Sequence, residues 1–75
     1  MSVNVYSTPT CVYCKMAKKY LETKNVKYND IDVSSDRMAA DEMVKKSGQR
    51  GVPVIDFDGT IIVGFDKSRI DSLII

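Results

Sequence analysis

The feature that most constrains the fold is a change of sequence period near the N-terminus. Residues 2–7, Ser-Val-Asn-Val-Tyr-Ser, alternate apolar and small polar side chains, which is the period of a strand. A Thr-Pro-Thr segment interrupts this alternation, and from Cys11 to about Lys24 apolar side chains recur at helical spacing. A strand that leads directly into a helix favours an α/β fold.

Cap and turn signals divide the rest of the chain into further elements. Thr10 is a candidate N-cap for the first helix, and Asn25 is a candidate stop because Asn tolerates the left-handed conformation. Gly48 has the usual position after a helix C-terminus. Asp-Gly at 58–59 suits the positive φ angles of a tight hairpin turn. The further predicted elements are a strand at 26–31, a helix at 36–47, strands at 54–57 and 60–63, and a last helix capped by Asp66.

The predicted order is therefore β-α-β-α-β-β-α. A right-handed strand–helix–strand crossover gives parallel strands, and the hairpin adds an antiparallel pair. We expect an α/β fold with a mixed four-stranded sheet and helices on both faces. The second helix is expected to contribute four side chains to the core, those of Met38, Ala39, Met43 and Val44. With 75 residues, the chain fits one domain, residues 1–75.

Charge and hydropathy exclude several classes of function. The net charge is +1, which does not favour binding to a polyanion, so we expect no nucleic-acid partner. No apolar run approaches the length of a membrane span, and no export signal is visible at the N-terminus. We therefore expect a cytoplasmic monomer that does not interact with a membrane.

Cys11 and Cys14 are the only cysteines of the chain. A bridge between them would close a very small loop and constrain the unfolded chain little, so a structural disulfide explains them poorly. In a reducing compartment, such close pairs tend to be catalytic, redox-sensing or metal-binding.

The position of the pair at a helix start favours dithiol redox chemistry. A sulfur of Cys11 in the first turn faces unpaired backbone N–H groups and the positive end of the helix dipole, which stabilise a thiolate. The thiolate is the nucleophile that attacks disulfides. Cys14, one turn further along, can then attack the mixed disulfide and release the reduced substrate. The sequence therefore predicts a thiol–disulfide oxidoreductase with Cys11 and Cys14 as catalytic residues.

Two other functions remain open. Structural zinc usually takes four Cys or His ligands, and this chain has two cysteines and no histidine. A zinc site or an iron–sulfur cluster would need a second chain, for example a dimer that shares a cluster through Cys11, so no metal ligands are assigned within the chain. The third possibility is a redox-regulated binding adaptor that docks its partner on the loop around Pro53.

Three motifs, in this order, resemble the glutaredoxin-like branch of the thioredoxin superfamily. They are residues 8–14 (Thr-Pro-Thr-Cys-Val-Tyr-Cys), residues 48–53 (Gly-Gln-Arg-Gly-Val-Pro) and residues 63–66 (Val-Gly-Phe-Asp). The resemblance covers essentially the whole chain and implies a thioredoxin-like fold. It also implies a cis bond before Pro53, where composition alone predicts trans because cis X-Pro bonds are uncommon.

The resemblance implies a binding site for substrate or glutathione around the cysteines. Tyr13 would contact an approaching thiol, and the backbone of Val52 would pair with a bound peptide like an added strand. Arg50 could bind a substrate carboxylate. The full set of binding residues that we predict is Tyr13, Arg50, Val52, Pro53, Gly64, Phe65 and Asp66.

Several residues depart from the pattern of glutaredoxins. Val12 replaces the usual proline, Thr8 replaces a lysine that helps hold glutathione, and Lys67 stands where an acidic residue is usual. Gly-Phe at 64–65 replaces paired glycines and is similar to small redoxins that supply electrons to ribonucleotide reductase. We therefore expect disulfide-containing protein substrates and no tightly bound cofactor. The reductant is either glutathione or a thioredoxin-reductase-type flavoenzyme.

Overall fold

The protein folds around a mixed four-stranded sheet, seen in a computed structural model that describes residues 2–74. The strands lie in the order β2-β1-β3-β4. β1 pairs with β2 in parallel, whereas β1–β3 and β3–β4 are antiparallel. The elements are β1 (Val3–Ser7), α1 (Val12–Thr23), β2 (Asn29–Asp32), α2 (Arg37–Ser47), β3 (Val54–Phe57), β4 (Thr60–Val63) and α3 (Lys67–Ile74).

Alternation along the strands gives the sheet two buried faces. On one face, Val5 belongs to a buried cluster that includes Leu21 of α1 and Ile70 of α3. On the other face, Tyr6 packs with Met43 of α2. The helices therefore cover both faces, and the predicted thioredoxin-like architecture is confirmed. None of the helices within residues 2–74 is sufficiently long and apolar to span a membrane.

The second strand begins three residues later than predicted. Asn25 has a φ of 59°, as its predicted role as a helix stop requires. The backbone N–H of Val26 still donates to the carbonyl of Leu21 at 2.9 Å, so the chain is folded back against α1 at this point. Val26 and Tyr28 pack against the core from outside the sheet, and pairing with β1 starts only at Asn29.

The second helix has the predicted bounds, but one of its predicted core residues is exposed. Ala39, Met43 and Val44 pack as expected, whereas Met38 is 83% exposed. Met38 precedes Ala39 by one residue, which rotates it by about 100° around the helix and away from the sheet. The caps agree with the sequence, since Asp36 accepts from the N–H of Ala39 and Gly48 is left-handed with a φ of 74°.

The hairpin between β3 and β4 has the predicted turn. Asp58 and Gly59 both have positive φ, at 52° and 97°. The carboxylate of Asp56 accepts a hydrogen bond from the N–H of Gly59 at 2.9 Å. This turn fixes the register of β3 against β4 and so fixes where the loop before Pro53 leaves the sheet.

A polar network fastens α2 to the sheet. The Tyr6 hydroxyl donates to Glu42 at 2.8 Å, and the Lys46 ammonium donates to Tyr6 at 3.0 Å and to Asp56 at 2.7 Å. The hydrogen bond from Lys46 lowers the pKa of Asp56. Hydrogen bonds from Tyr6 and then from Lys46 lower the pKa of Glu42. Because these lowered pKa values belong to the folded state, the network stabilises the fold only while the carboxylates are ionised.

We predict that Lys46→Met lowers the free energy of unfolding by about 1–3 kcal/mol near neutral pH, because Tyr6 and Asp56 lose a charged hydrogen-bonding partner. Asp56 has a lowered pKa in the folded state, so its contribution is present above the ordinary value of 3.8 and is lost as the pH falls through the folded value. The loss should therefore shrink in acid. Urea unfolding followed by circular dichroism, at neutral pH and at about pH 3, measures both quantities.

Lys45→Met is the matched control, since Lys45 is the neighbouring lysine, is also exposed, and gives the same charge change without touching the contacts of Lys46. It should alter the free energy of unfolding much less than Lys46→Met at neutral pH. An equal loss for Lys46→Met at both pH values would contradict the electrostatic account of the network.

Candidate active site

The sulfur of Cys11 itself caps α1. Cys11 has an extended backbone, with φ −86° and ψ 116°, and its Sγ accepts a hydrogen bond from the N–H of Cys14 at 3.2 Å. The prediction of Thr10 as the N-cap was wrong. The carbonyl of Thr8 accepts the N–H of Cys11 at 3.3 Å, and this turn delays the helix by one residue. The reactive atom therefore lies at the helix N-terminus, where partial positive charge accumulates.

The Cys11 thiol also faces the loop before Pro53. Cys11 is partly exposed, and its Sγ lies 3.9 Å from the carbonyl oxygen of Val52. The S–H group donates weakly to this carbonyl, whereas the N–H of Cys14 donates to the sulfur. A thiolate at Cys11 cannot donate to the Val52 carbonyl, but it accepts the N–H of Cys14 more strongly than a thiol does.

Cys14 has the opposite environment. It is fully buried and, like Cys11, is a free thiol. Burial and, after it, the hydrogen bond with Cys11 raise the pKa of Cys14 to about 11. A hydrogen bond with the Thr8 backbone and the charge of Lys18 act in the lowering direction. Cys11 is thus partly exposed to solvent, while Cys14 holds its proton in a site that water does not reach.

The loop around Pro53 completes the surroundings of Cys11. The Val52–Pro53 bond is cis, as the resemblance implied, and Pro53 is buried. The carbonyl of Pro53 accepts the N–H of Gly64 at 2.8 Å. Gly64 has a φ of 80° with open space around its Cα, so a left-handed backbone, rather than a close approach, requires glycine here.

The other predicted binding residues lie on surrounding surfaces. Tyr13 is 63% exposed in the first turn of α1. Phe65 packs edge-on against Tyr20, with ring centroids 5.9 Å apart, and so belongs partly to the core. Asp66 accepts from the N–H of Arg69 at 3.2 Å as an N-cap.

Arg50 lines a groove against α2 together with Val33 and Arg37, and neither cysteine lines this groove. The residues that the structure brings together are Cys11, Cys14, Val52, Pro53 and Gly64. The binding roles of the remaining residues stay predictions.

Sequence reasoning missed a polar group beside Cys14. Lys18 was not singled out in the sequence, but it is half-buried and pairs with Asp30 of β2 at 3.0 Å. Ser7, which is 2% exposed, donates to the same carboxylate at 2.8 Å. The spacing contained a signal, because Lys18 follows Cys14 by four residues and so shares its helix face.

A metal centre within the chain would need several side chains with donor atoms close together. Within residues 2–74, no group of three or more side chains of the types that ligate metals is gathered in one place.

Comparison with known proteins assigns the family. A family model described as glutaredoxin matches residues 3–62, which is most of the chain. The chain is 51% identical over 72 residues to an uncharacterized glutaredoxin-like 8.6 kDa protein in the rubredoxin operon of Clostridium pasteurianum, covering 96% of each protein. It is 35% identical over 65 residues to glutaredoxin 3 of Escherichia coli, covering 87% of this chain and 78% of that protein.

A solved structure extends this likeness to the fold. The glutaredoxin-like protein NrdH-redoxin from Escherichia coli, which has a thioredoxin-like activity profile, superposes with a TM-score of 0.88 at 26% identity. The match covers 97% of this chain and 95% of that chain. The fold and these likenesses thus define a small redoxin with a thioredoxin-like fold. The chain belongs to the glutaredoxin family, whose general activity is thiol–disulfide oxidoreduction.

The contrast between the two sulfurs predicts their order of alkylation. With a pKa of about 11, Cys14 is ionised to only about one part in ten thousand at neutral pH, and it is also inaccessible. We expect iodoacetamide to modify Cys11 and to leave Cys14 intact until the protein is unfolded. Peptide mass spectrometry after timed quenching measures this. Comparable early labelling of both cysteines would refute the burial of Cys14.

Proposed function

We propose that the chain is a dithiol oxidoreductase in which Cys11 attacks the substrate disulfide and Cys14 resolves the intermediate. The observation that carries this proposal is the hydrogen bond from the N–H of Cys14 to Cys11 Sγ, at 3.2 Å, at the start of α1. It orients an accessible sulfur at the positive end of a helix, with a second thiol one turn behind it.

The proposed reaction has two exchange steps. The Cys11 thiolate attacks one sulfur of the substrate disulfide, and the other sulfur leaves as a thiolate that takes up a proton. The Cys14 thiol then loses its proton and attacks Cys11 Sγ. The bond from Cys11 to the substrate breaks, and the substrate leaves as its second thiol. The two electrons gained by the substrate come from the Cys11 and Cys14 thiols, which are oxidised to the Cys11–Cys14 disulfide.

The surface around Cys11 supports protein disulfides as the substrate class. Val12, Tyr13 and Met16 are large apolar side chains with 66%, 63% and 44% of their surface exposed. Exposed apolar side chains next to a reactive sulfur favour contact with another protein. The backbone of Val52 would pair with an extended substrate segment beside Cys11. A glutathione mixed disulfide is the smaller substrate of the same reaction.

Two electron sources fit the family, namely glutathione and a thioredoxin-reductase-type flavoenzyme. The residues of the site favour the flavoenzyme. Thr8 supplies no charge for a glutathione carboxylate, and Arg50 lines a groove whose walls include neither cysteine. The similarity to a redoxin with a thioredoxin-like activity profile agrees with this candidate. The predicted cytoplasmic location is compatible with either source.

We predict that Cys11→Ser abolishes disulfide reduction, since the nucleophile is lost. Cys14→Ser should keep the first exchange and accumulate a mixed disulfide, because nothing displaces the substrate from Cys11. Insulin reduction and intact-protein mass spectrometry measure the two outcomes. Full activity of Cys11→Ser would end the proposal. Metal content after anaerobic purification tests the shared-cluster alternative in the same preparation.

The electron source is tested by one assay with two reducing systems. Oxidised wild-type protein is mixed either with glutathione, glutathione reductase and NADPH, or with thioredoxin reductase and NADPH. We expect faster NADPH oxidation with thioredoxin reductase. The reason is that Thr8 supplies no charge for a glutathione carboxylate, and Arg50 lines a groove that neither cysteine lines. Faster turnover with glutathione would reverse this choice and leave the dithiol reaction intact.

A further inference from the structure

The second exchange step raises a question that the two cysteines do not answer by themselves. Cys14 must become a thiolate in order to attack, yet it is fully buried and its pKa is raised to about 11. An uncompensated negative charge in such a site is costly, so the resolving step depends on groups that favour the thiolate. The hydrogen bond with the Thr8 backbone is the larger such contribution, and a positive charge is the second.

Lys18 is placed to supply that charge. It follows Cys14 by one helical turn and lies on the same side of α1, between the helix and the sheet. Only 19% of its side chain is exposed, and its ammonium is held 3.0 Å from the Asp30 carboxylate of β2. The charge of Lys18 acts on Cys14 in the direction that favours the thiolate.

The anchor of Lys18 is itself fixed. One oxygen of Asp30 binds Lys18, and the other accepts the Ser7 hydroxyl at 2.8 Å. Ser7 is 2% exposed at the end of β1, immediately before Thr8, whose backbone bonds to Cys14. The group formed by Ser7, Asp30 and Lys18, which we name the Lys18 triad, therefore holds the ammonium against β2, on the side of α1 that carries Cys14.

We propose that Lys18, held by Asp30 and Ser7, is a positioning residue for the resolving step that stabilises the thiolate of Cys14. This inference rests on the proposed function, and it concerns the second exchange alone. In that step Cys14 releases its proton to solvent, its sulfur bonds to Cys11 Sγ, and the substrate sulfur departs with the bonding electrons. Lys18 keeps its proton throughout.

The charged groups around Cys14 determine the direction in which removal of Lys18 should change its ionisation. From its own helix, Cys11 and Lys18 act on Cys14, and in the mixed disulfide Cys11 carries no charge. From β2, Asp30 acts through its ion pair with Lys18. β1 and the turn after it contribute the Ser7 hydroxyl and the Thr8 backbone, which are uncharged. Lys18 is thus the cation whose removal should disfavour the thiolate.

The test separates the two exchanges in one stopped-flow trace. Reduced protein reacts with dithionitrobenzoate, which releases one coloured thiolate when Cys11 attacks and a second when Cys14 resolves the adduct. Loss of the Lys18 charge should move the pH profile of the second phase to higher pH, because that charge lowers the pKa of Cys14. Nucleophilicity rises with basicity and offsets about half of this effect, so Lys18→Met should slow the second phase by about two- to threefold near neutral pH. The first phase should change much less.

Matched variants distinguish the charge from the fold. Lys19→Met makes the same charge change on the exposed side of α1 and should leave both phases near wild type. Lys18→Arg should restore most of the second phase. Ser7→Ala keeps every charge but releases Asp30, so it should shift the second-phase profile in the same direction by a smaller amount.

The outcomes are separable. The proposal is overturned if Lys18→Met lowers stability without moving the pH profile of the second phase, because the Lys18 triad would then have only a structural role. If Lys18→Met does not fold, the same criterion applies to Ser7→Ala. An equal shift from Lys19→Met would also overturn it, since a general field would then suffice. If wild-type protein releases only one thiolate, Cys14 does not resolve the adduct, and the failure lies with the proposed function instead.

Discussion

The structure of the site depends on the hydrogen bond from the backbone of Cys14 to the sulfur of Cys11. Helix starts are usually capped by a side-chain oxygen, and here a cysteine sulfur takes that position. One contact therefore sets where α1 begins, aims the reactive sulfur at the helix N-terminus and brings it opposite the Val52 carbonyl. The position of Cys14 follows from the same contact, because one turn of helix carries its side chain from the surface into the core.

The sheet and its helices keep the environments of the two cysteines different, and the proposed division of the reaction between them depends on this difference. Ala17 and Leu21 continue the buried stripe of α1 that Cys14 begins, so packing against β1 holds Cys14 away from water. On the other face, the network of Lys46 with Tyr6 and Asp56 fixes α2. A chain of this size has a thin core, so apolar burial alone stabilises it weakly. Hydrogen bonds and ion pairs between helix and sheet add to that stability.

Much of the fold could be predicted because local signals and long-range structure agree. Asp58-Gly59, Gly48 and Asp36 each act as their residue types predict, and the two sequence periods gave the element order. The errors occurred where tertiary contacts decide. Val26 reads as strand but is held by Leu21 of the preceding helix, and Thr10 reads as a cap but is displaced by the turn from Thr8 to Cys11.

Within the site, the cysteines could be predicted from spacing, and the cis bond before Pro53 from family likeness alone. The Lys18 triad could not be predicted in full, because it joins residues from β1, α1 and β2 that only the parallel pairing of β1 with β2 brings together. Helical spacing relates Lys18 to Cys14, but it gives no indication that Asp30 would hold the ammonium.

The central claim, that one sulfur receives the substrate and the other displaces it, is tested most directly on the unmodified chain. Wild-type protein is mixed with a disulfide substrate, acid-quenched within milliseconds and mapped by peptide mass spectrometry. The account predicts a transient substrate adduct on Cys11 that decays as the Cys11–Cys14 disulfide appears. An adduct carried first by Cys14, or one that never converts to the internal disulfide, would contradict it.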